Sequence, residues 1–474
     1  MVGTGAGGSV AGALLAEGGH DVVFLEEGGY YPTESFISNI SEMTTRLYRN
    51  SGIFPFLGNP PIAFAEGCCV GGSTIINGAL VCPTPEWILN EWQEDYGLKG
   101  YGQQDLQKYF EIIERDLHVV RHELEIDKNL DSFKLFEASK QLGWKCELTP
   151  RAIKNCKNSN LCPTGCPTGA KQSTLETYLP RAMKKGGRIF SRCRAIKILY
   201  SNGKAQKIIA RVVGKNSKSI EISFKYLFIA GGAIQTPHLL HRSGISRLAG
   251  RNLQFHITLK SLACFRERLN AEVGTMFTTQ VQEFEKEGML IMTSNLRPHY
   301  VAMTLSHFGN EVINSVLKEY QYSAIFATMI RPQSVLRIIS CFDHPIVVYR
   351  FNIKDLFIIK QAIQRTATLL FQCGATRIFL PIRGIGAISS IKDVEKILEK
   401  IKPRDVVMLC LHIMASCPMG INSSRSVVDL DGRVWGMKNV FLTDASVLPS
   451  NTGRNPQGTI MAFAHEIINR HLMG

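Results

Sequence analysis

The chain has no uninterrupted apolar run of about 18 residues, the length that a membrane-spanning helix requires. Its apolar first 25 residues are broken by Glu17, His20 and Asp21 and carry no lysine or arginine. We therefore expect neither a transmembrane helix nor a secretory leader. The expected location is cytoplasmic, with peripheral contact at a membrane surface left open. Blocks of five or six like charges are absent, and so are basic runs interleaved with aromatics, so nucleic acid is not an expected partner. Acidic residues are the scarcer sign: 40 Asp and Glu stand against 54 Lys and Arg, a net charge of +14. That balance favours anionic partners or reflects a solvated basic surface. There is no internal repeat and no low-complexity linker. Thirteen cysteines are present, but they are odd in number and scattered, which points to reduced thiols rather than a disulfide framework.

With 474 residues, 45% of them hydrophobic, the chain can bury a large core and form two or three domains. It opens on MVGTGAGGSV, where Gly3, Gly5 and Gly8 make GxGxxG. SVAGALLAE then reads as a helix and HDVVFL as a buried parallel strand, with Glu26 eighteen residues after Gly8. This spacing suits a dinucleotide: glycines for the turn, for close approach to the pyrophosphate and for helix packing, and a carboxylate for the ribose. The motif does not by itself separate NAD from FAD, so an NAD-linked dehydrogenase stays open. Only Met1 and Val2 precede Gly3, where a strand of five or six residues is typical. The expectation is a misassigned start or a truncated copy.

The strand–turn–helix logic recurs in YLFIAGGAIQTPHLLHRSG and in NVFLTDASVLP followed by NPQGTIMAFAHEIINRHL. We expect an α/β fold: a Rossmann-like domain with a mostly parallel sheet and a truncated first strand, from 1–95, 184–260 and 405–474. An α+β substrate domain on an antiparallel sheet would take 96–183 and 261–404.

Four segments in order, GCCVGGSTIING (67–78), IAGGAIQTPHLLHRSG (229–244), HIMASCPMG (412–420) and DASVLPSNTGRNPQGT (444–459), resemble the glucose-methanol-choline (GMC) oxidoreductase family. Through VWGMKNVFLTDASVLPS the chain is most like long-chain alcohol oxidase-like and choline dehydrogenase-like members. The resemblance implies a flavoprotein acting on CH-OH groups, with FAD rather than NAD in the opening loop. The FAD would be non-covalent, since 67–78 has no histidine. By the same resemblance Gly71, Gly72, Ser73 and Asn77 lie against the cofactor, as do Asp444, Ala445, Asn455, Pro456 and Thr459.

Alcohol oxidation by hydride transfer requires removal of the hydroxyl proton, a task for a histidine. The resemblance puts His412 at the base position and Asn455, 43 residues on, at the second active-site position, where a carboxamide can orient the oxygen without titrating. Hydride would pass to flavin N5, then electrons to oxygen, a quinone or a carrier protein. The free N–H groups after Pro456 would stabilise developing negative charge. Ala415, Ser416 and Pro418 depart from the usual pattern, and with the missing strand they keep a second expectation in play: a catalytically impaired flavin-binding remnant.

Cys156, Cys162 and Cys166 form CxxxxxCxxxC in a loop rich in Pro and Gly. Soft thiolates so clustered suit an iron-sulfur cluster, and a similar triplet holds one in the catalytic subunits of fructose and FAD-glucose dehydrogenases. Zinc and free thiols are the alternatives, free thiols the favoured one.

Overall fold

The computed structural model describes residues 1–124, 129–214, 217–294, 297–340 and 343–473. One sheet is built on parallel strand pairs. Val23–Leu25 pairs with Arg188–Phe190, and Leu227–Ile229 pairs with Val440–Leu442. Val2 joins the two halves as a single parallel bridge residue between Leu25 and Ile229. Val2 is thus the residue ahead of the glycine turn that takes part in this sheet. The helix Ala6–Glu17 follows, buried over most of its surface because it lies against the sheet and against the C-terminal helix Gln457–Met473. The approach is close: a Cβ at Gly12 would stand 2.1 Å from the Phe24 ring.

A second sheet, of nine strands among the described residues, carries the other half of the molecule. Its spine is the Gln254–Cys264 strand, antiparallel to both Ser323–Ile330 and Leu409–Met414. Met289–Thr293 extends it beyond Ser323–Ile330, and Ile62–Gly67 beyond Leu409–Met414. Alternation puts His256, Thr258 and Lys260 on one face of the spine and Ile257, Leu259 and Ala263 in the core, where each is almost wholly buried. The expected pairing of a Rossmann-like parallel sheet with a largely antiparallel one is the architecture found. Among the described residues no helix is long and apolar enough to cross a membrane.

Candidate active site

The glycine turn forms one end of a cavity of about 510 Å³. Its glycines differ in what surrounds them. A Cβ at Gly3 (φ +88°) would lie 2.2 Å from the Ala230 carbonyl oxygen, and one at Gly8 2.4 Å from the Gly3 oxygen. At Gly5 nothing comes within 4 Å. Gly3 and Gly8 are therefore glycine for packing, whereas Gly5 presents bare backbone to the cavity. Gly5 is also the N-cap of the Ala6–Glu17 helix and offers no side-chain hydrogen bond, so the helix's first N–H groups and its positive end are left for a ligand.

Glu26 lines the cavity beside this turn. Its carboxylate accepts from Thr4 N (3.0 Å), Thr4 Oγ1 (2.7 Å) and Gly28 N (2.9 Å), and burial pushes its pKa up. The 67–78 turn backs onto the glycine turn, since a Cβ at Gly72 would meet Gly5 Cα at 2.9 Å. Gly72, Ser73 and Asn77 line the cavity, as do Asp444, Ala445, Asn455 and Pro456. Gly8, Gly71 and Thr459 stand behind the wall: Gly71 N donates to Thr4 Oγ1 (3.0 Å), and Thr459 bonds Thr84 (2.8 Å). Asp444 is held by Ser446 N (2.8 Å), Gly232 N (2.7 Å) and the Thr236 hydroxyl. It thereby ties the end of the Val440–Leu442 strand to the N-terminus of the Gly232–Arg242 helix.

At the other end of the turn region, His412 reaches the cavity from Leu409–Met414, an inner strand of the large sheet. Its Nε2 lies 3.3 Å from Asn455 Nδ2, and its Nδ1 lies 3.3 Å from Nδ1 of His256. With the Asn455 amide in this orientation its nitrogen donates to Nε2, which assigns the His412 proton to Nδ1, facing His256. Burial lowers His412 to about 4 and His256 well below its ordinary value. Both rings are consequently neutral at pH 7. Asn455 Oδ1 has no protein partner among the described residues, so one polar atom beside the imidazole awaits a ligand.

His256 was not singled out from the sequence. Its signal was the alternation in QFHITLKSL, which places four polar side chains, Gln254, His256, Thr258 and Lys260, on one face of the strand.

The cysteine triplet requires correction. Among the described residues no three His, Cys, Asp or Glu are placed to hold a metal ion, so the iron-sulfur reading and the zinc alternative lose their ligand set. Two cations brace the loop instead. The Lys171 ammonium donates to the carbonyls of Ile75, Asn77 and Cys162, and the Arg151 guanidinium donates to Gly78 O and to Cys162 Sγ. Cys156 accepts from Asn158 N, and Cys166 pairs with the Thr168 hydroxyl. Each thiol is engaged with its own neighbours, and all three are free cysteines.

An uncapped helix N-terminus over bare glycine backbone shares one cavity with a neutral imidazole and a carboxamide, a combination that suits a dinucleotide-dependent oxidoreductase. Models of the GMC oxidoreductase family match residues 44–258 and 342–464. The chain is 31% identical over 472 residues to an uncharacterized GMC-type oxidoreductase of Sinorhizobium fredii, covering 98% of this chain and 93% of that one. It is 26% identical to a long-chain-alcohol oxidase of Arabidopsis thaliana, covering 99% of this chain and 67% of the relative. Among solved structures, pyridoxine 4-oxidase from Mesorbium loti superposes with a TM-score of 0.76 at 17% identity, over 100% of this chain and 98% of that one. The chain belongs to the GMC oxidoreductase family. Membership makes it an FAD-dependent oxidoreductase of alcohol-type substrates, and the open backbone at Gly5 with the unpartnered Asn455 Oδ1 fits that cofactor.

Proposed function

We propose that the protein oxidises primary alcohols with apolar bodies, with His412 as general base and Asn455 holding the substrate oxygen. The observation that carries this reading is the meeting of His412 and Asn455, 43 residues apart in sequence, at 3.3 Å in the wall of the glycine-turn cavity. Gly3, Gly5 and the first turn of the Ala6–Glu17 helix would take the FAD pyrophosphate, Glu26 the ribose, and Gly72, Ser73, Asn77, Asp444, Ala445 and Pro456 the rest of the dinucleotide. When bound, FAD supplies the acceptor for the hydride that leaves the carbinol carbon.

The chain's own residues do the remaining work. Neutral His412 has a lone pair on Nε2 facing the carboxamide, and it takes the hydroxyl proton there. Its Nδ1–H stays bonded to His256, which fixes the ring and the tautomer as the imidazolium forms. The Asn455 carboxamide then donates to the oxygen as it becomes a carbonyl. Phe277, Met292, Ile325 and Met329 make the neighbouring wall apolar, which suits a hydrocarbon body and keeps water out. The likeness to a long-chain-alcohol oxidase supports the same substrate class.

Anaerobic mixing of the purified flavoprotein with primary alcohols of graded length tests the proposal. We expect one or more of them to bleach the flavin absorbance. His412→Ala should lower that rate at least 100-fold, the scale of a general base, at unchanged FAD content. An unaltered rate in the variant, or no bleaching by any alcohol, would overturn it.

A further inference from the structure

The cavity contains a cation that hydride transfer does not use. Lys260 lies on the same strand and face as His256, four residues on, which is about 13 Å along the sheet. It lines the cavity. Its hydrogen-bond partner is the Ser294 hydroxyl, and its ammonium lies 5.9 Å from the centre of the Phe277 ring. Among the described residues no carboxylate forms an ion pair with it. Its neighbours in the wall are Phe277, Met292, Ile325, Ala327 and Met329. The cavity's carboxylates, Glu26, Glu27, Glu66 and Asp444, belong to its nucleotide end. Loss of water lowers the Lys260 pKa to about 8, with no charged neighbour to offset the loss, so the group is still largely protonated at pH 7.

A lone ammonium among apolar side chains is costly unless an anion meets it. Purely hydrocarbon contents would be better served by methionine or leucine at this position. We propose that Lys260 anchors a carboxylate on the substrate, so that the alcohol taken by this site is a hydroxy acid whose two polar ends are separated by an aliphatic chain. The inference rests on the reading above that the hydroxyl reacts at His412. The stretch of wall between His412 and Lys260, where Thr258 lies among Ile325, Ala327 and Met329, then holds the chain, and the ion pair fixes which end meets the imidazole. A bonded carboxylate also accepts charge-assisted hydrogen bonds from the ammonium and the Ser294 hydroxyl.

The test compares ω-hydroxydecanoate, its methyl ester and decanol as substrates of the holoenzyme, in the wild type and in Lys260→Met and Lys260→Arg. Binding of decanoate, which has no hydroxyl to oxidise, is measured in parallel by calorimetry. We expect the wild type to favour the hydroxy acid over the ester roughly 10- to 100-fold in kcat/KM, the range of a hydrogen bond to a charged group. Lys260→Met should abolish that preference while still turning over decanol, and should weaken decanoate binding by a similar factor. Lys260→Arg should keep the preference. Equal use of acid and ester by the wild type, or an unchanged preference in Lys260→Met, would overturn the inference. So would loss of FAD from Lys260→Met, which would place the lysine on the cofactor. Lys260-dependent decanoate binding in an enzyme that bleaches with no alcohol would uphold the anchor and sink the His412 reading. Alcohol oxidation indifferent to Lys260 would do the reverse.

Discussion

Replacing Gly5 and Gly7 separately by alanine distinguishes a glycine kept for a ligand from one kept for the fold. A Cβ at Gly7 would sit 1.7 Å from the Thr443 carbonyl oxygen and 2.7 Å from its carbon. Both are backbone atoms at the end of the Val440–Leu442 strand and cannot rotate away. Normal van der Waals separation needs a shift well over 1 Å between the Ala6–Glu17 helix and the parallel sheet, above the roughly 1–3 kcal/mol range of ordinary overpacking and a large share of a stability of roughly 5–15 kcal/mol. Gly5 is the opposite case. Its φ of −70° suits any residue, and the added methyl meets no protein atom within 4 Å. Reduced freedom of the unfolded chain would make the apoprotein as stable as the wild type or up to about 1 kcal/mol more so. The same methyl would occupy the space into which the pyrophosphate must come, with a cost of roughly 1–3 kcal/mol, or about 10- to 100-fold in FAD affinity. Thermal melting of the apoproteins and fluorescence titration with FAD read the two effects independently. Gly7→Ala that melts like the wild type, or Gly5→Ala that binds FAD undiminished, would refute this division of labour.

Two further outcomes follow from the buried histidines. His256→Leu strands the Nδ1–H of His412 without an acceptor, at a cost of roughly 1–3 kcal/mol. We expect kcat to fall about tenfold or more with KM and FAD content unchanged, and His256→Asn to restore part of it; equal fall in kcat and rise in KM would speak for a merely structural role. His465, only 4% exposed, is lowered from 6.5 to about 4 by burial. Neutral in the fold, it takes a proton in the unfolded chain below pH 6.5, so its contribution is lost as pH falls from about 6.5 to about 4, by up to about 3 kcal/mol. Urea denaturation at pH 7 and pH 4.5 should show a smaller loss in His465→Gln than in the wild type, and parallel losses would contradict the assignment.

The nucleotide half was legible because its logic is local. The turn, helix and strand containing Gly3, Gly5, Gly8 and Glu26 adjoin in sequence, and each glycine's reason can be read from its spacing. Gly7, the most tightly packed of them, was not legible, because the atom that forbids its side chain comes from Thr443, over 400 residues away. The meeting of His412 with Asn455 was available only through family resemblance, since nothing in the spacing of two residues on a strand and a loop implies contact. The cysteine triplet misled for a related reason. Its spacing is compatible with a shared metal, but Lys171 donates to the Cys162 carbonyl and Arg151 to the Cys162 thiol, and sequence does not reveal where the charges at the ends of such long side chains settle.

The His412–His256 contact depends on an irregularity that no motif announces. Along the Gln254–Cys264 strand, His256 pairs with His412 and the next residue, Ile257, pairs with Cys410, so Leu411 is left over. In a regular ladder His412 and Cys410, two apart, would point to the same side. The extra residue breaks that rule. It lets His412 share a side with His256, while Cys410 sits opposite Ile257, each at most 1% exposed. Bulges of this kind re-aim a single side chain without disturbing the strands around it. Here the bulge reconciles two demands on one strand: an apolar thiol for the core and, two residues later, an imidazole for the cavity. The core residues of the Leu409–Met414 strand can then vary in size without moving the base, because the ring is oriented from outside its own strand, by His256 on one nitrogen and Asn455 on the other.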